Sequence, residues 1–219
     1  MTDPADMTLD ELRASLIPDV ATNAAFDGWK PEAVRLAAEM RGVDPDVARL
    51  AFRGGAVDMI DAWFASVDAA MLDALPPQTL LAMKIRERIT ALVEARLAVL
   101  APERESLRRA LAILAMPQNI ARTARLGWRS ADVMWRAAGD TATDYNHYTK
   151  RAILGSVYGA TIQVFLDDDS EEYADTRAFL ARRIDGIMRF EKVKAGVIAR
   201  TRHRPSLSRF IGRLRYPAV

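Results

Sequence analysis

Residues 30–52 read KPEAVRLAAEMRGVDPDVARLAF, and this stretch decides the fold class. Pro31 stands where a helix accepts proline, in its first turn, and Gly42 stands where a helix stops. Asp44 and Pro45 then open a second, short helix running to about Phe52. Upstream, Thr8 and Glu11 form a capping-box signature ahead of a helix reaching about Phe26. Three helices with a tight turn at Gly42-Val43-Asp44 have the layout of a helix-turn-helix opening a longer helical chain.

The same punctuation continues downstream. Gly54 and Gly55 precede a fourth helical segment through Trp63 to Leu72. Pro77 opens a fifth, whose Leu81, Ile85, Ile89, Leu92 and Leu100 recur at helical spacing as a core-facing stripe. Pro102 and Pro117 start the sixth and seventh, Asp140 to Thr143 cap an eighth through Phe165, and Ser170 with Glu171 and Glu172 starts a ninth through about Phe190. Half of the 219 residues are apolar, enough for a substantial core, and Gly and Pro number only 11 and 10. Ala, Leu, Arg, Met and Glu usage is that of helices rather than sheets, so an all-α fold is predicted.

Little catalytic chemistry is on offer. The absence of cysteine removes disulfides, thiolate nucleophiles and Cys-ligated metal. His147 and His203 lie far apart with no metal-binding spacing, so no metal and no cofactor are expected. No phosphate-cradling glycine loop or dinucleotide fingerprint appears, and Gly54-Gly55 reads as a turn between helices. Asp167, Asp168 and Asp169 lack the alternating ligands of a calcium loop and read as a solvated helix cap. The chain is therefore expected to bind rather than to catalyse.

The helix-turn-helix layout resembles the opening of TetR regulators, in which three helices bind DNA and the following ones form a ligand pocket and a dimer interface. The third helix here begins Asp44-Pro45-Asp46 and contributes only Arg49 and Arg53. Its N-terminus is acidic where phosphates would sit, so the layout speaks for the fold, and DNA is not the expected partner.

The eighth segment opens GDTATDYNHYTKR over residues 139–151, a polar aromatic run unlike a plain core helix. It resembles the signature of the ubiquinone-biosynthesis accessory proteins of the Coq-nine family. The similarity extends from about Trp128 to Phe190, through Tyr173, Asp175, Thr176, Phe179, Leu180 and Arg182-Arg183. The resemblance implies a TetR-like bundle that binds an isoprenoid lipid or quinone precursor. It further implies that the chain assists the di-iron demethoxyubiquinone hydroxylase. His147 departs from the family, which commonly has Trp there within the patch that docks the hydroxylase. Tyr145, His147, Tyr148, Lys150 and Arg151 are the expected docking residues, offering aromatic area and donors. Trp63, Phe64, Met134, Trp135, Ile153, Val157, Tyr158 and Phe165 are candidates for a lipid pocket between helices, although periodicity alone does not distinguish such a lining from filled core.

Net charge is +2, yet residues 195–219 carry six Arg and no acid, which leaves −4 for the rest once six is subtracted from +2. From Pro205 onward, Leu207, Phe210, Ile211 and Leu214 fall at i, i+3, i+4 and i+7 on one arc of a helix. Arg209 and Arg213 point away, Arg215 flanks, and Arg204 extends the charge. Apolar insertion at about 1.5 to 3 kcal/mol per fully buried side chain, with about 1 kcal/mol per Arg near anionic lipid, favours reversible binding to an anionic membrane surface.

These readings divide the chain into a helix-turn-helix-like part (1–73), a ligand-binding and dimerisation part (74–194), and a basic linker with an amphipathic C-terminal helix (195–219). Phe179, Leu180, Ile184 and Ile187 offer a face for a homodimer. The acidic start Met1–Asp10 lacks the pattern of a signal or transit peptide, and no apolar run reaches the roughly 18 residues of a membrane span. The expected location is therefore cytoplasmic, peripheral on the inner membrane face, or the mitochondrial inner membrane in a eukaryote. The rival functions are a lipid-responsive TetR-type regulator and an adaptor that holds no lipid.

Overall fold

The computed structural model describes residues 6–141, 143 and 145–187, among which every regular element is helical. The expectation of an all-α, multi-helix fold is met. The amphipathic helix expected after Pro205, with Arg204, Leu207, Arg209, Phe210, Ile211, Arg213, Leu214 and Arg215, lies outside the described residues. The chain forms two units, residues 1–180 and 181–219.

In the first unit, α1 (Leu9–Asp27), α2 (Pro31–Met40) and α3 (Pro45–Ala51) form the helix-turn-helix-like opening. The predicted capping box is present: Thr8 accepts from the Glu11 amide, and the Thr8 amide donates to the Glu11 carboxylate at 2.8 Å. Asp44 accepts the Asp46 amide at 2.8 Å, and Gly42 takes φ +66°, the left-handed turn that a side chain would resist. Helix α1 is also packed against α4 (Gly55–Ala74) and α7 (Arg104–Leu114), so this opening belongs to the same compact unit as the helices that follow.

The fifth predicted segment is two helices. α5 (Pro77–Leu81) ends, and α6 (Ile85–Leu100) starts afresh, with the Lys84 amide donating to Glu87 at 2.9 Å. The break moves Leu81 and Ile85 off the stripe: they are exposed, whereas Ile89, Leu92 and Leu100 are buried as expected. After α7 come α8 (Ile120–Ala137) and α9 (Tyr145–Leu166), packed against one another.

The reading of one polar residue is corrected. Asp168 is not a solvated cap; it is 5 % exposed and accepts from the amides and hydroxyls of both Ser170 and Thr176. Burial raises the pKa of its carboxyl, but these hydrogen bonds win and hold it well below the usual carboxylate range. It clasps a turn in which Glu172 and Tyr173 take φ +51° and +57°, after which residues 174–180 are helical. Leu180 is fully buried, so this side chain offers no surface to a second copy of the chain. Residues 181–187, in the second unit, are helical as well.

Candidate functional site

Between α8 and α9 on one side and α4, α6 and α7 on the other lies a cleft of about 360 Å³. That volume is at the small end of ligand pockets, sufficient for a ring and part of a chain. Its mouth is formed by exposed Ala124, Trp128, Ala152, Ser156 and Gly159, and its buried floor includes Phe64, Arg96, Leu126, Tyr158 and Ile162. Small residues keep the two helices close and the mouth open. Gly155 lies against the backbone of Gly127, where an added Cβ would stand 3.8 Å from the Gly127 carbonyl oxygen. A Cβ at Gly127 or Gly159 would meet nothing within 4 Å.

Two buried cations line the cleft, Arg96 and Arg151. Arg96, 1 % exposed, donates from Nε to the Tyr158 hydroxyl at 2.7 Å and from Nη1 to Asp68. Its guanidinium lies 5.7 Å from the Phe64 ring centre and 5.4 Å from that of Tyr158, within cation–π range. Asp68 also faces Arg129 at 3.9 Å, and Arg129 in turn pairs with Asp61. Burial pushes the Asp68 carboxyl above its ordinary pKa, against the opposing pull of Arg96 and Arg129. Burial likewise pushes the Tyr158 phenol up, so it keeps its proton.

The mouth continues into an aromatic patch. Trp128 lies 5.9 Å from Tyr148 and 6.3 Å from His147, which themselves lie 5.1 Å apart edge to face. Tyr145 and Tyr148 are exposed. A shallow depression of about 420 Å³ beside them is lined by Arg136, Asp140, Thr141, His147, Tyr148 and other residues.

Of the expected docking residues, Arg151 is corrected. It is buried, with Nε on Asp132 at 2.5 Å and Nη1 on Asp140 at 3.1 Å and on the His147 carbonyl at 3.0 Å. It holds α9 to α8 and to the turn at Gly139-Asp140, and has no exposed donor to offer a partner. Asp140, read as a cap, is the acid at the centre of this knot, also binding Lys150 Nζ at 2.6 Å. Lys150 remains half-exposed over the Trp135 ring.

Of the pocket candidates, Phe64 and Tyr158 line the cleft. Trp63 is buried against Trp29 and Phe64, Phe165 against Tyr173, and Met134 has no exposed surface. Trp135 donates from its indole to the Lys150 carbonyl at 3.0 Å, tying α8 to α9. Ile153 and Val157 are half-buried outside the cleft lining. Sequence reasoning missed Arg96, Asp68, Trp128 and the three glycines. The signal was present for two of them: Arg96 falls on the buried stripe of Ile89, Leu92, Val93 and Leu100, and Asp68 stands four residues after Phe64. A charge inside an apolar stripe marks a buried polar site.

The described residues contain no cluster of His, Asp and Glu able to hold a metal ion, and no helix long and apolar enough to cross a membrane. In the helix-turn-helix-like opening, Arg35 pairs with Glu32 and Glu39, Arg41 with Asp19, and Arg49 with Asp46.

Residues 120–191 match the COQ9 family model. The chain is 33 % identical over 168 residues to the mitochondrial ubiquinone biosynthesis protein COQ9 of Rattus norvegicus, covering 74 % of this chain and 54 % of that protein. For the protein of the same name from Homo sapiens the identity is 32 %, covering 74 % and 52 %. The chain thus spans about half the length of the curated relatives it matches. Among solved structures, a TetR transcriptional regulator of Nitrosomonas europaea superposes with a TM-score of 0.64 at 27 % identity, covering 80 % of this chain and 97 % of that one. The TetR-like fold expected from the sequence is therefore present, and the matched segment contains α8, α9 and the whole mouth of the cleft.

Proposed function

Residues 120–191 make this chain a COQ9-family protein, and from that premise we propose that it serves ubiquinone biosynthesis as a lipid-binding accessory protein rather than as a catalyst. In this reading the cleft takes the ring and first isoprenoid units of a quinone intermediate, and the chain is presented to the demethoxyubiquinone hydroxylase through the adjoining aromatic patch. The observation that carries the proposal is the cleft itself: a largely apolar lining with the buried Arg96–Tyr158 pair in its floor, and a mouth formed by the family segment. Removing a prenyl chain from water into such walls offsets the cost of leaving the bilayer, while redox chemistry belongs to the partner's iron.

Trp128, Tyr148 and Tyr145 support the docking part, since exposed aromatics next to a pocket mouth are the usual centre of a protein interface. Membrane attachment is assigned to the basic amphipathic tail and rests on its sequence pattern. The relatives are named as mitochondrial, which agrees with work at an inner membrane face. A homodimer completes the proposal. The regulator reading is not favoured, because the short α3 starts with Asp44 and Asp46 and the cations Arg35, Arg41 and Arg49 are already paired with acids.

The test is mass spectrometry of lipid extracted from the purified full chain, compared with a mock purification and with a chain lacking residues 195–219. Enrichment of a polyprenyl quinone or its precursor is expected. Absence of any lipid overturns the proposal in favour of an adaptor.

A further inference from the structure

The corner that joins α7 to α8 presents apolar side chains to water: Met116 is 43 % exposed and Ile120 61 %. Along the first half of α8, Ile120, Ala121, Ala124 and Trp128 share an arc of about 100° at helical spacing, and all four are exposed. Ala124 and Trp128 are also the α8 lip of the cleft mouth, so the apolar face leads directly into the opening. The α9 lip continues it. Residues 152–166 contain no charged side chain, and Ala152, Ser156, Gly159 and Ala160, which face water there, are small.

Charge lies around this face rather than on it. No acid occurs between Glu105 and Asp132, a stretch that holds Arg108, Arg109, Arg122, Arg125 and Arg129. Arg108 is matched by Asp167, Arg109 by Glu105 and Arg129 by Asp61. Arg122 and Arg125 are exposed at the flank of the arc and form no ion pair among the described residues. The acids that share a small depression with them, Asp58 and Asp61, are engaged by Arg13 and Arg129.

Apolar groups at the centre, a tryptophan at the border and unmatched cations at the flank are complementary to an anionic bilayer. Apolar side chains enter its headgroup layer, an indole sits at the boundary of apolar and polar, and Arg meets lipid phosphates. The cleft opening at the edge of the face favours lipid over an acidic protein, because a prenyl chain leaving a bilayer there passes from hydrocarbon to apolar walls without crossing water.

We propose that this face of α8 rests on the anionic membrane surface and brings the cleft mouth to it, a contact separate from the basic tail. Its large apolar side chains are few, Met116, Ile120 and Trp128, so attachment still depends on residues 195–219. The face sets which side of the helical unit meets the bilayer. The inference rests on the lipid reading of the cleft for its purpose, and its test does not require a bound lipid.

The chain has no cysteine, so Ile120→Cys carries a single nitroxide label, and Glu32→Cys, exposed on α2, provides the control. When the full chain binds vesicles of phosphatidylcholine and phosphatidylglycerol, the label at position 120 is expected to lose most of its collisions with a water-soluble nickel chelate and to gain collisions with oxygen. The label at position 32 is expected to change little. Arg122→Gln with Arg125→Gln is expected to weaken partition onto these vesicles about 10- to 30-fold. Arg35→Gln with Arg41→Gln, the same charge removed from α2 and its end, is expected to change it less than about 3-fold. A label at position 120 that stays open to the nickel chelate while the chain floats with the vesicles, or equal effects of the two Arg pairs, overturns the inference. Shielding of that label without vesicles, growing with protein concentration, also overturns it and assigns the face to a second copy of the chain. If the label inserts but no prenyl lipid is extracted from the protein, the lipid reading of the cleft falls and the membrane face stands. If prenyl lipid is bound and the label stays in water, only the membrane face falls.

Discussion

Replacing Arg151 with Met removes the side chain on which the α8–α9 packing turns. Arg151 is 2 % exposed and satisfies two acids at once, Asp132 and Asp140, together with the His147 carbonyl. Met fills much of the same volume, so the loss is electrostatic. Asp140 would keep Lys150, and Asp132, about one-fifth exposed, would keep Arg136 and some water. Breaking a buried pair costs about 3 to 5 kcal/mol, and the partial exposure of Asp132 places this case near 3. For a chain of this size each kcal/mol moves the melting temperature by about 2 to 4 °C, so a fall of about 6 to 12 °C is expected. Thermal unfolding followed by circular dichroism measures it. Adding Asp132→Asn and Asp140→Asn to Arg151→Met should restore part of the loss, because no uncompensated acid remains. By contrast, Tyr145→Ser and Tyr148→Ser should stay within about 0.5 kcal/mol of the parent, as exposed substitutions do. An Arg151→Met protein with an unchanged melting temperature would refute the assignment of Arg151 to the fold and return it to the docking surface.

Other consequences follow from the same physics. Because the Asp168 carboxyl is held below its ordinary pKa in the folded protein, its contribution is complete above the unfolded carboxylate pKa of about 3.9 and is lost as pH falls from there toward the folded value. Thermal melts from about pH 5 down to about pH 2 should show this slope, and Asp168→Asn should flatten it while lowering stability at neutral pH. Changing Leu207, Phe210, Ile211 and Leu214 together to Ser should release the chain from anionic liposomes in a flotation assay; retained flotation removes the membrane role of the tail. Light scattering should give a dimer, and a DNA mobility assay at low salt should show no retardation.

The architecture could be read from sequence because its signals are local. The Thr8–Glu11 box, Pro31 and Pro45 in first turns, and Gly42 at a stop each act within a few residues, and each stands where it was expected. The break between α5 and α6 was not visible, since Leu81 and Ile85 continue the apolar period across a turn that has neither Pro nor Gly of its own. The site was legible only in part. Phe64 and Tyr158 line the cleft, but nothing in a helical period separates them from Trp63, Met134 and Phe165, which fill the core. The roles of Arg151 and Asp140 depend on a contact between α8, α9 and the turn joining them, and a surface-favouring residue type conceals such a partner. Arg96 and Asp68 were the readable signal left unread: each is a charge set in an apolar stripe.

The most direct test of the account is to place the lipid. A photoreactive prenyl benzoquinone, crosslinked to the purified full chain and mapped by peptide mass spectrometry, should label the cleft walls on α8 and α9, between Ala124 and Trp128 and between Ala152 and Ile162. Competing unlabelled quinone should abolish that label. Labelling confined to α1–α3, or label on α8 and α9 that unlabelled quinone does not displace, would contradict the claim that this cleft is the lipid site.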